Sequence, residues 1–372
     1  MAGGDRNRLT VRGPGGVVFG YGRMVASFKE VLSNKVELVD DALTCVDMTQ
    51  PNLVKGWLDG QHKVVFTMWE TSKLPHEFYE PLPQYDQVLV PCQHNKELFG
   101  QHHDNVKVVP LGVDTKFWVP APAPVNDVVT FLAGGSHWMR KGLDKVVEAW
   151  ERLNPAGARL ILKCTPETVG GIGKITSPTI TVIDEFLSMT EERDLYRSVD
   201  CFISGSRGEG WGLMPLQAMC SAIPVLMTDT TGHREFSNYA CRLIDTTPES
   251  ASEPRFYNIG EWDTPLVGSI MDAVTWFMDN RDEAKQVALT NRPKVAKFTW
   301  ANATKHLLES VPLSSGQVTG KWVGSDELFV EVTALRKIDA TIGAHTVRLR
   351  KGEMGMVSLN SRDVLRASGA IA

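Results

Sequence analysis

Ser204-Gly-Ser-Arg-Gly-Glu-Gly-Trp-Gly-Leu-Met-Pro-Leu-Gln-Ala-Met-Cys220 sets a glycine-flanked carboxylate, Glu209, directly before a stretch that reads as helix. An apolar strand, Cys201 to Ile203, runs into it, and another, Pro224 to Met227, follows. Strand, glycine loop, helix, strand is the pattern in which backbone N–H groups and a helix N-terminus face an anionic ligand beyond the carboxyl end of a parallel sheet.

A second stretch has the same shape. Ala133-Gly-Gly-Ser-His-Trp-Met-Arg-Lys-Gly142 follows a strand from Val128 to Leu132 and precedes a helix from Leu143 to Leu153. Arg140 and Lys141 therefore fall at a helix N-terminus, with Gly135 and Ser136 just before them, where positive side chains and N–H groups can converge on phosphate. Taken in isolation an Arg-Lys pair reads as a solvated basic turn; its place between a strand and a helix favours the phosphate reading. Thr228 to Glu235 follows the strand at Pro224 to Met227; Gly232 would let the backbone approach a ligand, and His233 and Arg234 either touch it or face solvent.

The rest of the chain repeats the alternation. Strands are expected at Leu9 to Arg12, Val36 to Val39, Lys63 to Met68, Gln87 to Pro91 and Lys107 to Pro110, with a helix from Arg23 to Leu32. Pro120-Ala-Pro-Ala-Pro124 reads as a stiff linker. The second series adds strands at Leu160 to Lys163, Ile180 to Ile183 and Arg242 to Ile244, and helices near Glu191 to Ser198, Leu266 to Asp279, Asp282 to Phe298 and Ala301 to Ser310. Short apolar strands alternating with helices predict α/β domains with parallel sheets. The expected division is 1–120 and 125–298 as two Rossmann-like domains, 299–312 as a further helix, and 313–372 as an appended small β-rich module.

Length and composition agree with two buried cores: 372 residues, of which 42% are apolar and 22% charged, as in ordinary globular proteins. A formal charge of −5 argues against a general nucleic-acid binder, and residues 1–120 hold 12 Lys and Arg against 14 Asp and Glu. The six cysteines show neither Cys-x-x-Cys pairs nor histidines at ligand spacing, so no zinc site or disulfide framework is expected. No signal-peptide core and no membrane-spanning run stands in the sequence, from which a cytoplasmic protein is expected.

The Glu209 segment closely resembles the signature of retaining GT-B glycosyltransferases of the family 4 type, in which a Glu, seven residues and a second Glu fall in a stretch reading roughly Glu-Gly-aromatic-Gly-Leu-x-x-Leu-Glu-Ala-Met. Glu209 matches the first acidic position, while Gln217 occupies the second. The resemblance covers about residues 15–311 and implies that the two domains face a cleft and that 299–312 is a crossover helix. It also implies a hexosyltransferase that takes a nucleotide-sugar as donor substrate and requires no cofactor or metal. Glu209 would lie by the donor sugar, among Gly210, Trp211, Gly212 and Leu213. Gln217 would accept from the ribose hydroxyls without charge assistance. Lys141, in a Lys-Gly pair, would contact the diphosphate; the Arg often found five residues earlier is replaced by Ser136, and Arg140 is a candidate substitute.

On the acceptor side, Thr67-Met-Trp-Glu-Thr-Ser-Lys-Leu-Pro75 is similar to Trp-Glu-Thr segments of that family. Trp69 could stack on a sugar face and Glu70 accept from hydroxyls. His94 is a candidate cleft wall, and Gly15 and Gly16 belong to a glycine loop expected to border the cleft. Val109-Pro-Leu-Gly-Val-Asp114 reads as a turn closing the first domain. No Asp-x-Asp in a cleft context calls for a divalent cation.

Gln217 and Ser136 motivate an alternative, a catalytically degenerate nucleotide-sugar-binding relative; a sugar-nucleotide epimerase of the same fold is another. In the tail, Glu327 to Leu335 and Thr346 to Arg350 read as strands, and Ser361 to Ser368 as a helix ended by Gly369. This pattern weakly resembles small modules of phage structural proteins, which would place the protein in a host cytoplasm; the other reading is a β-rich cap stabilising the second domain. The acceptor is unknown, with glycan or protein favoured over DNA.

Overall fold

A run such as Val88-Leu-Val90, apolar at consecutive positions, cannot offer one face to water, so it belongs in a sheet covered on both sides. The computed structural model describes residues 6–15, 20–54, 56–122 and 128–319, and the backbone of 322–324, 329–333, 338–342, 345–349 and 354–358. In the first lobe the elements are β1 Arg8–Arg12, α1 Gly20–Leu32, β2 Glu37–Leu38, β3 Thr44–Met48, β4 Gly56–Leu58, β5 His62–Phe66, α2 His76–Tyr79, β6 Gln87–Val90, α3 Gln93–Phe99 and β7 Val106–Val108. Six strands form one parallel sheet in the order β2-β1-β3-β5-β6-β7.

β3 was not expected from the sequence, because Asp47 interrupts its apolar run. The carboxylate is tolerated in the sheet because Arg12, on the neighbouring β1, donates to it twice, from Nε at 2.8 Å and Nη2 at 2.7 Å.

The second lobe contains β8 Val129–Gly135, α4 Leu143–Leu153, β9 Ala158–Cys164, α5 Pro166–Ile172, β10 Ile180–Ile183, α6 Met189–Arg197, β11 Cys201–Ser204, α7 Leu213–Cys220, β12 Val225–Thr228, β13 Arg242–Ile244, β14 Thr246–Ser250, β15 Glu261–Pro265, α8 Val267–Asp279 and α9 Arg281–Val295, and is followed by α10 Trp300–Ser310. Its parallel sheet runs β10-β9-β8-β11-β12-β13. The strand order reverses between β8 and β11, where open α/β sheets bind their ligands.

Local rules explain several helices. α4 buries Leu143, Val146, Val147 and Trp150, the stripe of an amphipathic helix lying on a sheet. α6 starts two residues earlier than expected because Ser188 and Glu191 close a capping box, with Ser188 N donating to Glu191 at 2.8 Å and Glu191 N to Ser188 Oγ at 3.2 Å. The antiparallel pair β14 and β15 was not expected; its strands are mostly polar and lie ten residues apart.

That hairpin connects the lobes. Its Phe256 and Trp262 join Trp69, Phe78 and Phe99 in one buried cluster. Nearby, Ser72 N donates to Glu261 O and Glu261 N to Ser72 Oγ, both at 2.9 Å, and Arg23 on α1 donates to Glu192 on α6 at 2.8 Å.

After α9 the chain returns to the first lobe. Val113 N donates to Phe298 O at 2.9 Å, and Trp300 packs edge-on against Phe28 of α1 at 5.4 Å between centroids. The following residues continue along the first lobe: Thr44 Oγ1 donates to Pro312 O at 2.6 Å, Arg8 N to Ser314 O at 2.8 Å, and Val318 N to Asp41 O at 2.9 Å. Strand β16 Trp322–Gly324 then pairs antiparallel with β4. The start of the tail therefore caps the first lobe, a correction to the cap expected on the second. The physical reason is that β4 stands outside its parallel sheet and offers unpaired backbone groups.

Beyond it, β17 Phe329–Thr333 pairs with β20 Met354–Ser358, and β18 Ile338–Ile342 with β19 His345–Leu349. The helix expected at Ser361 to Ser368 lies outside the described residues.

Gly112 is where the returning chain and the first lobe meet. A Cβ there would stand 2.2 Å from Trp300 N and 2.3 Å from Thr299 C. Gly112→Ala is expected to lower unfolding stability by about 1–3 kcal/mol, the usual range for overpacking against backbone, as measured by urea denaturation.

Candidate active site

The two glycine loops that follow β8 and β11 lie against each other at the strand-order reversal. Gly142, in the left-handed region at φ 61°, starts α4, and a Cβ there would stand 1.8 Å from Gly205 O. Across Gly135 runs the aliphatic stem of Lys141: a Cβ at Gly135 would lie 2.4 Å from Lys141 Cγ. Arg207 ties the loops together. It donates to both carboxylate oxygens of Asp144 on α4, at 2.7 and 2.8 Å, and to Met139 O, while its N–H donates to Arg140 O at 2.7 Å. Sequence reasoning did not single out Arg207; its only signal was a charge within an otherwise glycine-rich, apolar segment.

The loop after β12 fixes the backbone of Glu209. Glu209 N donates to Thr231 Oγ1 at 2.7 Å, and Thr231 Oγ1 and Gly232 N both donate to Glu209 O at 2.9 Å. Gly232 sits against Gly210, where a Cβ would approach its carbonyl to 2.7 Å.

Held in this way, the Glu209 side chain meets three donors. Lys141 Nζ and Ser206 Oγ donate to Oε1 at 2.6 and 2.7 Å, and Arg140 Nη1 to Oε2 at 2.8 Å. Burial by itself would raise this carboxyl, but Arg140 and Lys141 outweigh it and hold the group well below the usual carboxylate range. Burial lowers Lys141, against the opposing pull of Glu209.

His233 is fully buried beside this cluster, and burial pushes it down to about 4, so it is neutral at physiological pH. Its Nδ1 lies 3.1 Å from Thr228 O, which can only accept, so Nδ1 carries the proton; Nε2 has no hydrogen-bond partner among the described residues.

From the first lobe, the loop after β5 reaches over this site. A Cβ at Gly208 would stand 2.1 Å from Glu70 O, and one at Gly210 would stand 2.4 Å from Met68 Sδ, so the glycines flanking Glu209 permit the approach. Burial raises the Glu70 carboxyl; Arg140 and Lys141 pull it down, and Glu209 pushes it up. The Glu70 carboxylate makes no hydrogen bond or ion pair with any described residue.

One cleft between the lobes is lined by Gly135, Ser136, Arg140, Lys141, Glu209, Gly210, Trp211, Gly212, Leu213 and Glu70. Gly20, from the glycine-rich stretch 13–22 expected to border the cleft, lines it as well, and the structure adds Arg23, Met68, Lys163, Phe186 and Glu192 to its walls. Gln217 lies buried on α7 at 3% exposure, and its Oε1 has no partner among the described residues.

Three acceptor-side expectations are not met. Trp69 is only 3% exposed: its ring packs against Phe78, Phe256 and Tyr257 at 4.6 to 6.1 Å and its Nε1 donates to Thr71 Oγ1 at 2.8 Å, so no face is free for a sugar. His94 does not line the cleft; its Nε2 lies 3.3 Å from Thr71 O, on the lobe contact near Arg234 and Asp263. Gly15 is exposed and outside the cleft wall, while Gly16 lies outside the described residues.

Residues 127–251 match the family model described as Glycosyl transferases group 1. The chain is 22% identical over 231 residues to the alpha-maltose-1-phosphate synthase of Mycolicibacterium smegmatis, covering 55% of this chain and 56% of that one. It is 25% identical over 256 residues to the D-inositol 3-phosphate glycosyltransferase of Nocardia farcinica, covering 61% and 52%. It thus spans about half the length of the curated relatives it matches.

Among solved structures, Anabaena HepE in complex with UDP and glucose superposes with a TM-score of 0.61 at 12% identity, covering 82% of this chain and 98% of that one. A glycosyltransferase from Rickettsia africae gives 0.60 at 13%, covering 81% and 96%. The fold is GT-B. The cleft described above is the interlobe cleft of that GT-B architecture. Among the described residues no helix is long and apolar enough to cross a membrane, and no group of three or more His, Cys, Asp or Glu could hold a metal ion.

Glu70 gives a pH-dependent expectation. A carboxyl raised on folding favours the native state most below its ordinary value of 4.5, and that contribution disappears as pH rises through the folded value. At neutral pH the ionised Glu70 is therefore a liability. Glu70→Gln is expected to melt at a higher temperature than wild type at neutral pH, with the difference shrinking toward pH 5, in paired thermal melts.

Proposed function

We propose that the protein is a retaining glycosyltransferase that moves a hexose from a nucleotide-sugar to an acceptor hydroxyl. The observation that carries this reading is the Arg140–Lys141–Glu209 cluster. It stands at the carboxyl ends of β8 and β11, at the start of α4 and α7, inside the segment that matches the glycosyltransferase family model. Two cations and the N–H groups after Gly212 suit a diphosphate, and a neighbouring carboxylate suits sugar hydroxyls.

In this reading Lys141 and Arg140 stabilise the charge that develops on the leaving diphosphate, the electrostatic role that commonly contributes most to catalysis, without a divalent cation. Glu209 orients the donor sugar. Gln217, whose buried Oε1 is without a partner among the described residues, accepts from a ribose hydroxyl. Glu70 accepts from the acceptor across the cleft. A leaving phosphate oxygen takes the acceptor proton as the new bond forms on the face the diphosphate leaves, which gives retention. The lobe contact around Trp69 and Phe256 keeps water out of the cleft, favouring transfer over hydrolysis. We further propose a cytoplasmic enzyme with a glycan or protein acceptor, since the acceptor-side half shows no basic excess for DNA.

The test is a panel of UDP-, GDP-, ADP- and dTDP-sugars, scored by thermal shift and nucleotide release with and without chelator. One donor is expected to stabilise the protein irrespective of chelator. Lys141→Ala should lower kcat by about 10²–10³-fold, and Gln217→Glu should tighten nucleotide binding roughly fivefold. Stabilisation by a donor without nucleotide release would favour a catalytically degenerate nucleotide-sugar-binding relative, and if every donor leaves the melt unchanged the reading fails. Interconversion of the donor with acceptor omitted would instead indicate an epimerase.

A further inference from the structure

Glu209 is engaged inside the protein. Three donors share its two oxygens at 2.6 to 2.8 Å, and two of them are the cations Lys141 and Arg140. A carboxylate held in this way has little accepting capacity left for a sugar hydroxyl, and it stands as the counter-charge at the place where Lys141 Nζ and Arg140 Nη1 would meet a phosphate. Under the reading above these same groups serve the two ends of one donor molecule, the sugar and the diphosphate.

We propose that Glu209 occupies the diphosphate subsite as an internal anion in the donor-free protein, and that an incoming diphosphate displaces it from Lys141 and Arg140. Glu209 is then released to the sugar hydroxyls only once the phosphates are seated, so the donor binds phosphate end first. This rests on the proposed nucleotide-sugar reading.

The surrounding geometry confines the exchange to side chains. The Glu209 backbone is held at both its N–H and its carbonyl by Thr231 and Gly232. Arg140 Nη1 has a second acceptor, Gly208 O at 2.8 Å, which keeps the guanidinium in place when the carboxylate leaves. The Lys141 stem lies over Gly135, so no side chain fixes it from that side. Ser206, which also donates to Glu209, has further acceptors in Arg140 O at 3.1 Å and Gly208 O at 3.2 Å.

The charges favour exchange as well. Arg140 and Lys141 face the carboxylates of Glu209 and Glu70, and a diphosphate offers the two cations more negative charge than the single Glu209 carboxylate it displaces. Part of its attraction is offset by breaking the internal pair.

Removing the internal anion should therefore tighten diphosphate binding while impairing transfer, opposite to the effect of deleting an ordinary ligand contact. The experiment is calorimetric titration of wild type, Glu209→Gln and Glu209→Asp with inorganic pyrophosphate, UDP, GDP, ADP and dTDP, alongside turnover of the donor found for wild type. The anion that binds wild type is expected to bind Glu209→Gln at least fivefold tighter, with turnover reduced at least tenfold. Glu209→Asp, which retracts the carboxylate from Lys141, should bind at least twofold tighter and serves as the deciding variant if Glu209→Gln does not fold. Equal or weaker binding by the folded variants overturns the exchange and leaves the glycosyltransferase reading standing. Absence of binding to wild type and variants alike overturns both.

Discussion

The ion cluster of Glu209 with Arg140 and Lys141 is the constraint around which the second lobe is arranged. Burying three charged groups carries a desolvation penalty of several kcal/mol per ion, offset only by close geometry and further hydrogen bonds. The structure supplies both. Arg207 and Asp144 lock the two glycine loops together, Ser206 completes the shell of Glu209, and Thr231 and Gly232 fix its backbone. Replacing this cluster by apolar residues would remove the penalty, so its presence is better explained by what it does in the cleft than by what it adds to stability.

The first lobe is fitted to that cluster at atomic contact. Gly208 and Gly210 have no side chains, so the backbone at Met68 and Glu70 can come down on the loop. This brings the Glu70 carboxylate within electrostatic range of Arg140, Lys141 and Glu209. The approach is held from the side by aromatic packing, in which Trp69 of the first lobe fits among Phe256, Tyr257 and Trp262 of the second. Trp69 is thereby a structural tie between lobes, and the polar work of its segment falls to its neighbour Glu70.

The chain crosses between lobes a second time through Gly112, Thr299 and Trp300, and then runs on as a strap over the first lobe to β16. An uncovered strand edge is an invitation to pairing, and the tail answers it for β4. The strap from α10 to β16 thus lies with β1 on the first lobe, while the ion cluster is built by the second.

The sequence by itself determined the parallel α/β character of both lobes, because uninterrupted apolar strands alternating with amphipathic helices admit few other arrangements. It also determined the chemistry of the second-lobe wall: glycines at Gly135 and Gly212, and the charges of Lys141 and Glu209, belong to local strand-loop-helix units that fold as read. It did not reveal β3, where Asp47 hides a strand that only its pairing with Arg12 makes possible, or the β14–β15 hairpin, whose polar strands are stabilised by each other and by the distant Trp69. Tertiary structure alone decided that Trp69 is core and Glu70 is cleft, that His94 stands aside, and that Arg140 and Lys141 both close on Glu209. These outcomes depend on contacts between segments tens to hundreds of residues apart, which local propensity and spacing do not encode.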